Sequence, residues 1–163
     1  EGERTLGFRI QRRTFFMDRW ILHGAWIPDR EVRLYQPAHG SWKGGLHANI
    51  HLPRPPGELS HFVYHYTYED ISDQLQTLDK YSSTISGEMQ ESGKRFRLLR
   101  LIFNPPARFL RDYLLKRGFL DGFPGFVIAV NTAFYAFNKH AKLWERERCQ
   151  PELIAREQAK KPK

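Results

Sequence analysis

The chain has 163 residues, of which 40% are hydrophobic and 14% aromatic, so it can form a domain with a substantial core, and global disorder is excluded. Its 26 basic and 18 acidic side chains give a formal net charge of +8. This charge predicts an anionic partner such as phospholipid, nucleic acid, nucleotide or phosphorylated glycan. The single cysteine, Cys149, cannot close an intrachain disulfide, as expected in a reducing compartment.

Residues 1–66 have the pattern of short strands. The stretches LGFRI, REVRLYQ and LSHFVYHY alternate apolar or aromatic residues with polar ones, and segments rich in glycine and proline separate them. The pattern predicts a small, irregular β region.

Residues 67–148 have helical periodicity instead. Thr67 and Asp70 have the spacing of a capping box, which predicts Thr67 as the N-cap of a long amphipathic helix that ends near Gly93. Glu69 and Asp70 are interpreted as capping acids rather than as a catalytic carboxylate pair, because acids at a helix N-terminus offset the helix dipole.

Prolines divide the rest of the helical part. A second helix is predicted from about Lys94 to Phe103, and Asn104-Pro105-Pro106 is expected to end it and to start a third. The third helix is expected to carry Arg108, Arg111, Asp112 and Lys116 on its polar side. A fourth helix begins near Gly125, and residues 149–163 form a charged tail with a short helix expected after Pro151.

The stretch from Gly118 to Trp144 has the densest apolar surface of the chain. No charge lies between Asp121 and Lys139, and as a helix this gap spans roughly 26 Å, short of the ~30 Å hydrocarbon layer of a bilayer. The helix is therefore expected in a protein core or in the plane of a membrane surface. The segment before it interleaves cations with Leu, Ile and Phe, which suits an anionic lipid surface. The predicted membrane-docking residues are Arg97, Arg100, Arg108, Arg111, Lys116 and Arg117.

The candidate polar site is the band of residues 23–51. Glycine lets the backbone approach a ligand closely, Trp faces stack on sugar rings or bases, and Asp with Arg can hold hydroxyl groups or phosphate. The band also contains His39 and His51, and its seven predicted site residues are His23, Trp26, Asp29, Arg33, Trp42, His47 and Asn49. A β region with surface histidines and core tryptophans would have the same composition, so both interpretations stay open.

Two histidine pairs, His47 with His51 and His61 with His65, have the spacing of the zinc-protease motif HExxH. Ala48 stands where that motif has its glutamate, and no cysteine or acidic cluster accompanies either pair. No metal site is therefore predicted in this chain.

Four segments follow one another in an order typical of one family. They are RRTFFMDRWILHGAWIPDREVRLYQ, a W-x-GG ahead of a histidine, HYTYEDISDQLQTLDKYSS, and PPARFLRDYLLKRGFLDGFPGFVIAVNTAFYAFNKHAKLWER. Together they resemble the C-terminal half of bacterial family 2 glycosyltransferases of the lipopolysaccharide-core glucosyltransferase type. The resemblance covers nearly all of the chain up to about Arg148.

This resemblance implies the C-terminal half of an α/β GT-A fold: an α+β fragment with a short β region followed by amphipathic and apolar helices. It implies a nucleotide-sugar donor and a lipid-linked glycan acceptor. The D-x-D segment that binds the donor with Mg²⁺ or Mn²⁺ is absent from this sequence and is expected in a missing N-terminal half.

The resemblance also implies roles for individual residues. His47 matches the histidine that family members commonly follow with an acid, the general base for the acceptor hydroxyl, but Ala48 or Asn49 stands in the place of that acid. Asp29 is the substitute candidate for a base or acceptor ligand, and Arg33 is expected to meet a phosphate. Trp26 and Trp42 are expected to stack on sugars.

The leading hypothesis is a partial glycosyltransferase, inactive alone, that binds the acceptor and docks peripherally on the cytoplasmic face of the bacterial inner membrane. The alternative is a non-catalytic module that binds a membrane surface. A nucleic-acid-binding domain rests only on charge and aromatic content and is not favoured, because the aromatics of the basic segment share helical positions with leucines.

Overall fold

A computed structural model of the chain describes residues 5–44 and 49–149. In this part of the chain the strands precede the helices, which confirms the predicted α+β architecture. The strands are β1 (Gly7–Phe16), β2 (Arg19–Ile21), β3 (Arg30–Tyr35), β4 (Ser41–Lys43), β5 (Asn49–His51) and β6 (Gly57–Tyr66). The α-helices are α1 (Ile71–Glu91), α2 (Leu98–Leu110) and α3 (Gly122–Arg148). The predicted helix after Pro151 lies outside the described residues.

The main sheet is built around β1. β6 runs parallel to β1 along one edge, with register from Phe8 opposite Gly57 to Phe15 opposite Tyr66. β2 and β3 are antiparallel to β1 and share its other edge, with β3 beside its first half and β2 beside its end. β4 and β5 form a separate two-stranded sheet.

Alternation along the strands gives the sheet two different faces. On the inner face, Phe16 and Ile21 are buried and form a core cluster with Ile128 of α3. On the outer face lies an aromatic cluster in which the ring centroids are between 4.7 and 5.9 Å apart. Its members are Phe15, Trp20, Phe62, Tyr64 and Tyr66.

The first helix begins later than predicted. Its N-cap is Asp70, whose carboxylate accepts a hydrogen bond from the backbone N–H of Asp73 at 2.8 Å. The Asp73 carboxylate in turn accepts from the N–H of Glu69, the residue before the N-cap, at 3.2 Å, so the capping hydrogen bonds start three residues later than predicted. The capping role of Asp70 and the helix end near Gly93, which has a φ of +74°, are confirmed.

The predicted break at Asn104-Pro105-Pro106 is wrong, because α2 runs through both prolines. Asn104 does not cap a new helix; its side-chain amide lies 3.1 Å from Nε2 of His140 on α3. Each proline removes one backbone donor. Helix α2 buries none of its residues, so the carbonyl groups that lose a donor can be hydrated instead.

A wide turn of π-helix, Arg111–Leu115, follows α2 and corrects a second expectation. Asp112 does not lie on a polar side but is fully buried, and its Oδ1 accepts from the guanidinium of Arg111. A 3₁₀ turn, Gly118–Asp121, then leads into α3, which begins at Gly122 rather than near Gly125. A Cβ at Gly125 would overlap the carbonyl oxygen of Gly118, so this approach requires glycine.

Helix α3 packs against both α1 and α2 and is the central element of the helical layer. Within the described residues, Gly118–Arg148 is the stretch long and apolar enough to cross a membrane by length and composition, and 39% of its most apolar part is buried in the structure. Its buried polar residue Asn131 donates to Gln74 of α1 at 2.6 Å. Such pairing is typical of a helix in a protein core, one of the two predicted placements.

Candidate functional site

A cleft of about 600 Å³ lies between the inner face of the sheet and the first half of α1. It is lined by Arg12, Glu31, Arg33, Asn49, His65, Thr67, Tyr68, Asp73, Thr77 and Tyr81. A neighbouring recess of about 420 Å³ shares its aromatic wall and adds Trp26 and Asp29. We call the two together the sheet–helix cleft.

Charged side chains at the strand side of the cleft hold one another in place. Arg12 donates to both carboxylate oxygens of Asp29, from Nε and Nη2, each at 2.9 Å. The same Nη2 reaches Glu31 at 3.0 Å, and Glu31 also pairs with Arg33. The side chains of Arg12 and Asp29 are only 20% and 16% exposed, so this two-pronged pair is fixed in geometry.

The wall opposite these charges is polar and aromatic. Burial lowers the pKa of His65, and the Arg12 guanidinium lowers it further, so the imidazole is neutral at pH 7. Thr67 places its hydroxyl 3.2 Å from Nδ1 of that ring. Burial raises the pKa of Tyr68, which therefore stays a phenol and a hydrogen-bond donor. Its ring packs beside Trp26, with centroids 5.8 Å apart.

The balance of charge defines what the cleft can bind. Arg12 and Arg33 are opposed by Asp29, Glu31 and Asp73, so the cleft lacks the positive excess that a phosphate site needs. Carboxylates held by arginine accept hydrogen bonds from hydroxyl groups, and tyrosine and tryptophan rings cover the apolar faces of sugar rings. The arrangement suits a neutral, hydroxyl-rich ligand.

The structure brings together four of the seven residues predicted for the polar site. Trp26, Asp29, Arg33 and Asn49 line the sheet–helix cleft. Trp26 is also packed against Phe16, with centroids 5.2 Å apart, so the core interpretation holds for it in part. Trp42 is 56% exposed on the two-stranded sheet and does not line the cleft. His47 and Ala48 lie outside the described residues.

His23 belongs to a different cluster. Its Nδ1 lies 2.9 Å from Oδ1 of Asp121, and Oδ2 of Asp121 accepts from the backbone N–H groups of His23 at 2.8 Å and Leu22 at 3.1 Å. Asp121 is only 4% exposed. The cluster joins the end of β2 to the start of α3, so the role that the geometry indicates for His23 is structural.

The role of Asp29 as a catalytic base stays a prediction. Both of its carboxylate oxygens accept from Arg12, and the free lone pairs of each oxygen can still meet an acceptor hydroxyl. Within residues 5–44 and 49–149, no group of three His, Cys, Asp or Glu side chains is placed to hold a metal ion.

Several residues of the cleft are not indicated by any sequence motif. His65 stands out only as half of a histidine pair, and Arg12, Tyr68 and Tyr81 belong to no motif of site chemistry. Strand alternation is the signal that finds two of them. His65 lies between the exposed Tyr64 and Tyr66, and Arg12 has the same parity as the buried Thr14.

A second candidate surface covers α2 and the turns after it. Ten apolar side chains here are between 46% and 79% exposed. They are Leu98, Leu99, Ile102, Phe103, Leu110, Leu114, Leu115, Phe119, Leu120 and Phe123, and we call them the apolar face. The predicted docking cations surround it in sequence: Arg97, Arg100, Arg108, Arg111, Lys116 and Arg117. None of these six is buried.

Curated proteins similar to this chain carry glycosyltransferase names. The chain is 29% identical over 150 residues to the lipopolysaccharide core biosynthesis glycosyltransferase LpsC of Rhizobium meliloti, a match that covers 89% of this chain and 55% of that protein. It is 33% identical over 87 residues to an uncharacterized glycosyltransferase of Rickettsia typhi, covering 53% of this chain and 30% of that protein. An uncharacterized glycosyltransferase of Rickettsia felis is 31% identical over 101 residues, covering 62% and 36%.

The chain thus spans about half the length of the Rhizobium relative and about a third of the Rickettsia relatives. No protein-family model matches it, and no solved structure gives a significant match. The predicted resemblance is confirmed: the curated homologues of this chain are named glycosyltransferases, and they include one of lipopolysaccharide core biosynthesis.

Proposed function

We propose that this chain is the acceptor-binding and membrane-docking part of a family 2 glycosyltransferase that transfers a sugar from a nucleotide-sugar donor to a lipid-linked glycan such as lipopolysaccharide core. The observation that carries the acceptor role is the sheet–helix cleft, where carboxylates paired with arginines face an aromatic wall. The name of the Rhizobium relative supports the substrate class.

Each side of the cleft has a role in holding the acceptor. Tyr81 and Tyr68 cover sugar rings, and Glu31 accepts hydrogen bonds from sugar hydroxyls. Asp29, held in place by Arg12, takes the proton of the attacking hydroxyl as the sugar is transferred with inversion. His47 is the alternative base.

The donor side lies outside this chain in the proposed enzyme. A GT-A nucleotide-sugar domain binds the donor diphosphate with Mg²⁺ or Mn²⁺, and this chain completes the fold from the acceptor side. The 163-residue chain alone is therefore expected to show neither sugar transfer nor donor hydrolysis. Full activity of the isolated chain would contradict this division of labour.

The apolar face supplies the docking role. An amphipathic helix that leaves its leucines and phenylalanines in water, next to cations, gains free energy by entering the headgroup region of an anionic bilayer. The proposed location is the cytoplasmic face of the bacterial inner membrane, with the chain bound peripherally.

Titration with a delipidated lipopolysaccharide core oligosaccharide, followed by amide NMR shifts, tests the acceptor role. We expect shifts in residues 65–81 and at least fivefold weaker binding in Tyr81→Ala, because an aromatic stacking partner is lost. The matched control is Tyr64→Ala, which removes an exposed ring from the outer face of the sheet and should leave binding unchanged. Equal loss in both variants, or shifts confined to the outer face, would overturn the assignment.

A non-catalytic membrane-surface module is the second candidate. It is favoured by Ala48, which stands where the resemblance leads one to expect an acid beside His47. Sugar transfer at an ordinary rate by a protein that joins this chain to a nucleotide-sugar domain would exclude the non-catalytic candidate.

A further inference from the structure

The groove between α2 and α3 is a second concave site, separate from the sheet–helix cleft. It encloses about 320 Å³ and is lined by Asn104, Ala107, Arg108, Arg111, Ala136 and Lys139. Ala107 and Ala136 are the small residues of its lining, and the remaining four carry polar or charged groups. The groove is therefore open to a small polar ligand between two helices.

This groove has an excess of positive charge, whereas the charges of the sheet–helix cleft are balanced. In the described residues, neither Arg108 nor Lys139 pairs with a carboxylate. Arg111 binds Oδ1 of the buried Asp112 through Nε and Nη2, at 2.8 and 2.7 Å, so its Nη1 remains for another acceptor. No carboxylate lines the groove.

Burial and neighbouring cations both act on the ionisable groups around the groove. Burial lowers the pKa of Lys139, and the nearby Arg108 and Lys94 lower it further. Burial, Lys139 and Arg100 lower the pKa of His140, which stays neutral and can accept from the Asn104 amide. An anion in the groove would relieve this like-charge repulsion.

The position of the groove on α2 indicates which anion it takes. Phe103 and Leu110 lie one helical turn before and after Ala107, on the same side of the helix, and are 61% and 51% exposed. A phosphate in the groove that carried acyl chains would place those chains against the apolar face. A free phosphate would leave the apolar face unused.

We infer that the α2–α3 groove binds the phosphate group of an anionic lipid headgroup, with Arg108, Arg111 and Lys139 as its donors. This inference deepens the membrane-docking part of the proposed function and rests on it. Without such a site, the chain would bind the membrane only through its general positive charge and its exposed apolar side chains. The groove adds a defined site for a lipid headgroup.

Amide NMR titration with monomeric dihexanoyl phosphatidic acid and, separately, with inorganic phosphate tests the site. We expect saturable shifts around Ala107 and Lys139 with the lipid and at least tenfold weaker binding of inorganic phosphate. Equal affinity for the two would assign the groove to a free phosphate and overturn the lipid assignment.

Paired variants separate a defined site from general charge. Arg108→Gln with Lys139→Gln should weaken phosphatidic acid binding at least tenfold. Arg30→Gln with Lys80→Gln removes the same charge outside the groove and should change binding less than twofold. Similar losses in both pairs would contradict a defined site.

A third variant keeps the test valid if the charge variants fold poorly. Ala107→Trp fills the groove from the exposed side of α2 and leaves every cation in place. It should abolish phosphatidic acid binding, and unchanged binding would contradict the assignment. If the unmodified chain binds anionic vesicles but shows no saturable phosphatidic acid binding in the groove, only this inference is refuted. If the unmodified chain does not bind vesicles, the docking role itself is refuted.

Discussion

Asp121 is a buried polar residue that ties the helical layer to the sheet. It is 4% exposed and accepts from two backbone N–H groups and from the ring of His23. Asp121→Ala leaves these donors without an acceptor, and each unsatisfied buried group costs about 1–3 kcal/mol. We expect the free energy of unfolding in urea to fall by about 2–4 kcal/mol.

The matched control for this prediction is Asp18→Ala. Asp18 pairs with its neighbour Arg19 on the surface, at 3.1 Å, and such exposed pairs contribute little to stability. The urea midpoint should not change measurably. A comparable loss of stability in both variants would show that Asp121 acts only through general charge.

His140 predicts a pH dependence of stability. The unfolded chain takes up a proton on this ring near the ordinary pKa of 6.5, whereas burial, Lys139 and Arg100 lower the pKa in the folded protein. The unfolded state therefore binds more protons below this pH, and the free energy of unfolding should fall between pH 7.5 and pH 5.5.

A substitution tests whether His140 causes this fall in the free energy of unfolding. His140→Gln removes the titrating ring, so urea unfolding should depend less on pH, with a loss of about 1 kcal/mol at pH 7.5 from the Asn104 hydrogen bond. His65, whose pKa is lowered for similar reasons, should account for part of the remainder. An unchanged pH dependence in His140→Gln would contradict this assignment.

Individual residues also show what the sequence can and cannot predict. Asp29, Arg33 and Asn49 were predicted together, and they meet because they lie at or near strands that flank one cleft. His23 is also polar and lies in the same stretch of sequence, but its partner Asp121 is 98 positions away. Local pattern carries no information on such a contact.

At the scale of elements, the contact between α1 and α3 depends on a buried polar pair. Gln74 is 2% exposed and accepts from Asn131, which is 8% exposed, at 2.6 Å. Asn131→Leu or Gln74→Leu alone leaves one buried amide unsatisfied and should cost about 1–3 kcal/mol. The double variant should cost less than the sum, which a double-mutant cycle in urea measures. Additive losses would argue that the two side chains act independently.

Helix α2 packs against α3, but within the described residues its apolar face stays exposed. Leu99 and Phe103 are 68% and 61% exposed on the apolar face. The double variant Leu99→Glu with Phe103→Glu removes two apolar side chains and adds two negative charges. Each apolar side chain contributes up to ~1.5–3 kcal/mol to the free energy of membrane binding when it leaves water. Sedimentation with vesicles of phosphatidylglycerol and phosphatidylcholine should show at least tenfold weaker partitioning.

A sheet variant controls for the added charge. Leu34→Glu with Tyr64→Glu changes two side chains that are 55% and 62% exposed, and by the same net charge. Vesicle partitioning should fall far less than in the α2 variant, because only general attraction to the anionic surface is reduced. Equal falls would refute the apolar face as the docking surface.

Element boundaries were harder to predict than element types. The helical periodicity of α1 was clear, but its start could not be fixed, because Thr67 and Asp70 both have the chemistry of an N-cap. The prolines of α2 predicted a break that does not occur, since a surface helix can hydrate the carbonyls that lose a donor. Helix propensity describes an isolated segment, whereas α2 also packs against α3.

At the scale of the whole molecule, two chemically different sites lie on different element pairs. The sheet–helix cleft has balanced charge and aromatic walls, whereas the α2–α3 groove has three cations and borders apolar side chains. The rings of Phe109, Tyr113 and Phe126 pack against one another, with Phe126 edge-on to the other two, so these three are not free to stack on bases. The exposed aromatic rings of the apolar face lie among leucines, a composition that favours lipid over nucleic acid as the proposed anionic partner.

The α+β order of the chain could be predicted because strand and helix periodicity are local properties. The parallel pairing of β1 with β6 and the close approach of Gly118 to Gly125 could not, because they depend on which segments meet. The sheet–helix cleft is built from β1, β3, β5, β6 and α1, so only part of its lining could be inferred before the fold was known.

The central claim is that the apolar face enters an anionic membrane while the sheet–helix cleft stays in water. An environment-sensitive dye on a single introduced cysteine, in a Cys149→Ser background, measures this directly at Phe103 of α2 and Tyr81 of the cleft. On phosphatidylglycerol vesicles, the dye at Phe103 should shift to the emission of a hydrocarbon environment, and the dye at Tyr81 should keep its emission in water. Emission typical of water at both positions, or of hydrocarbon at Tyr81, would contradict the account.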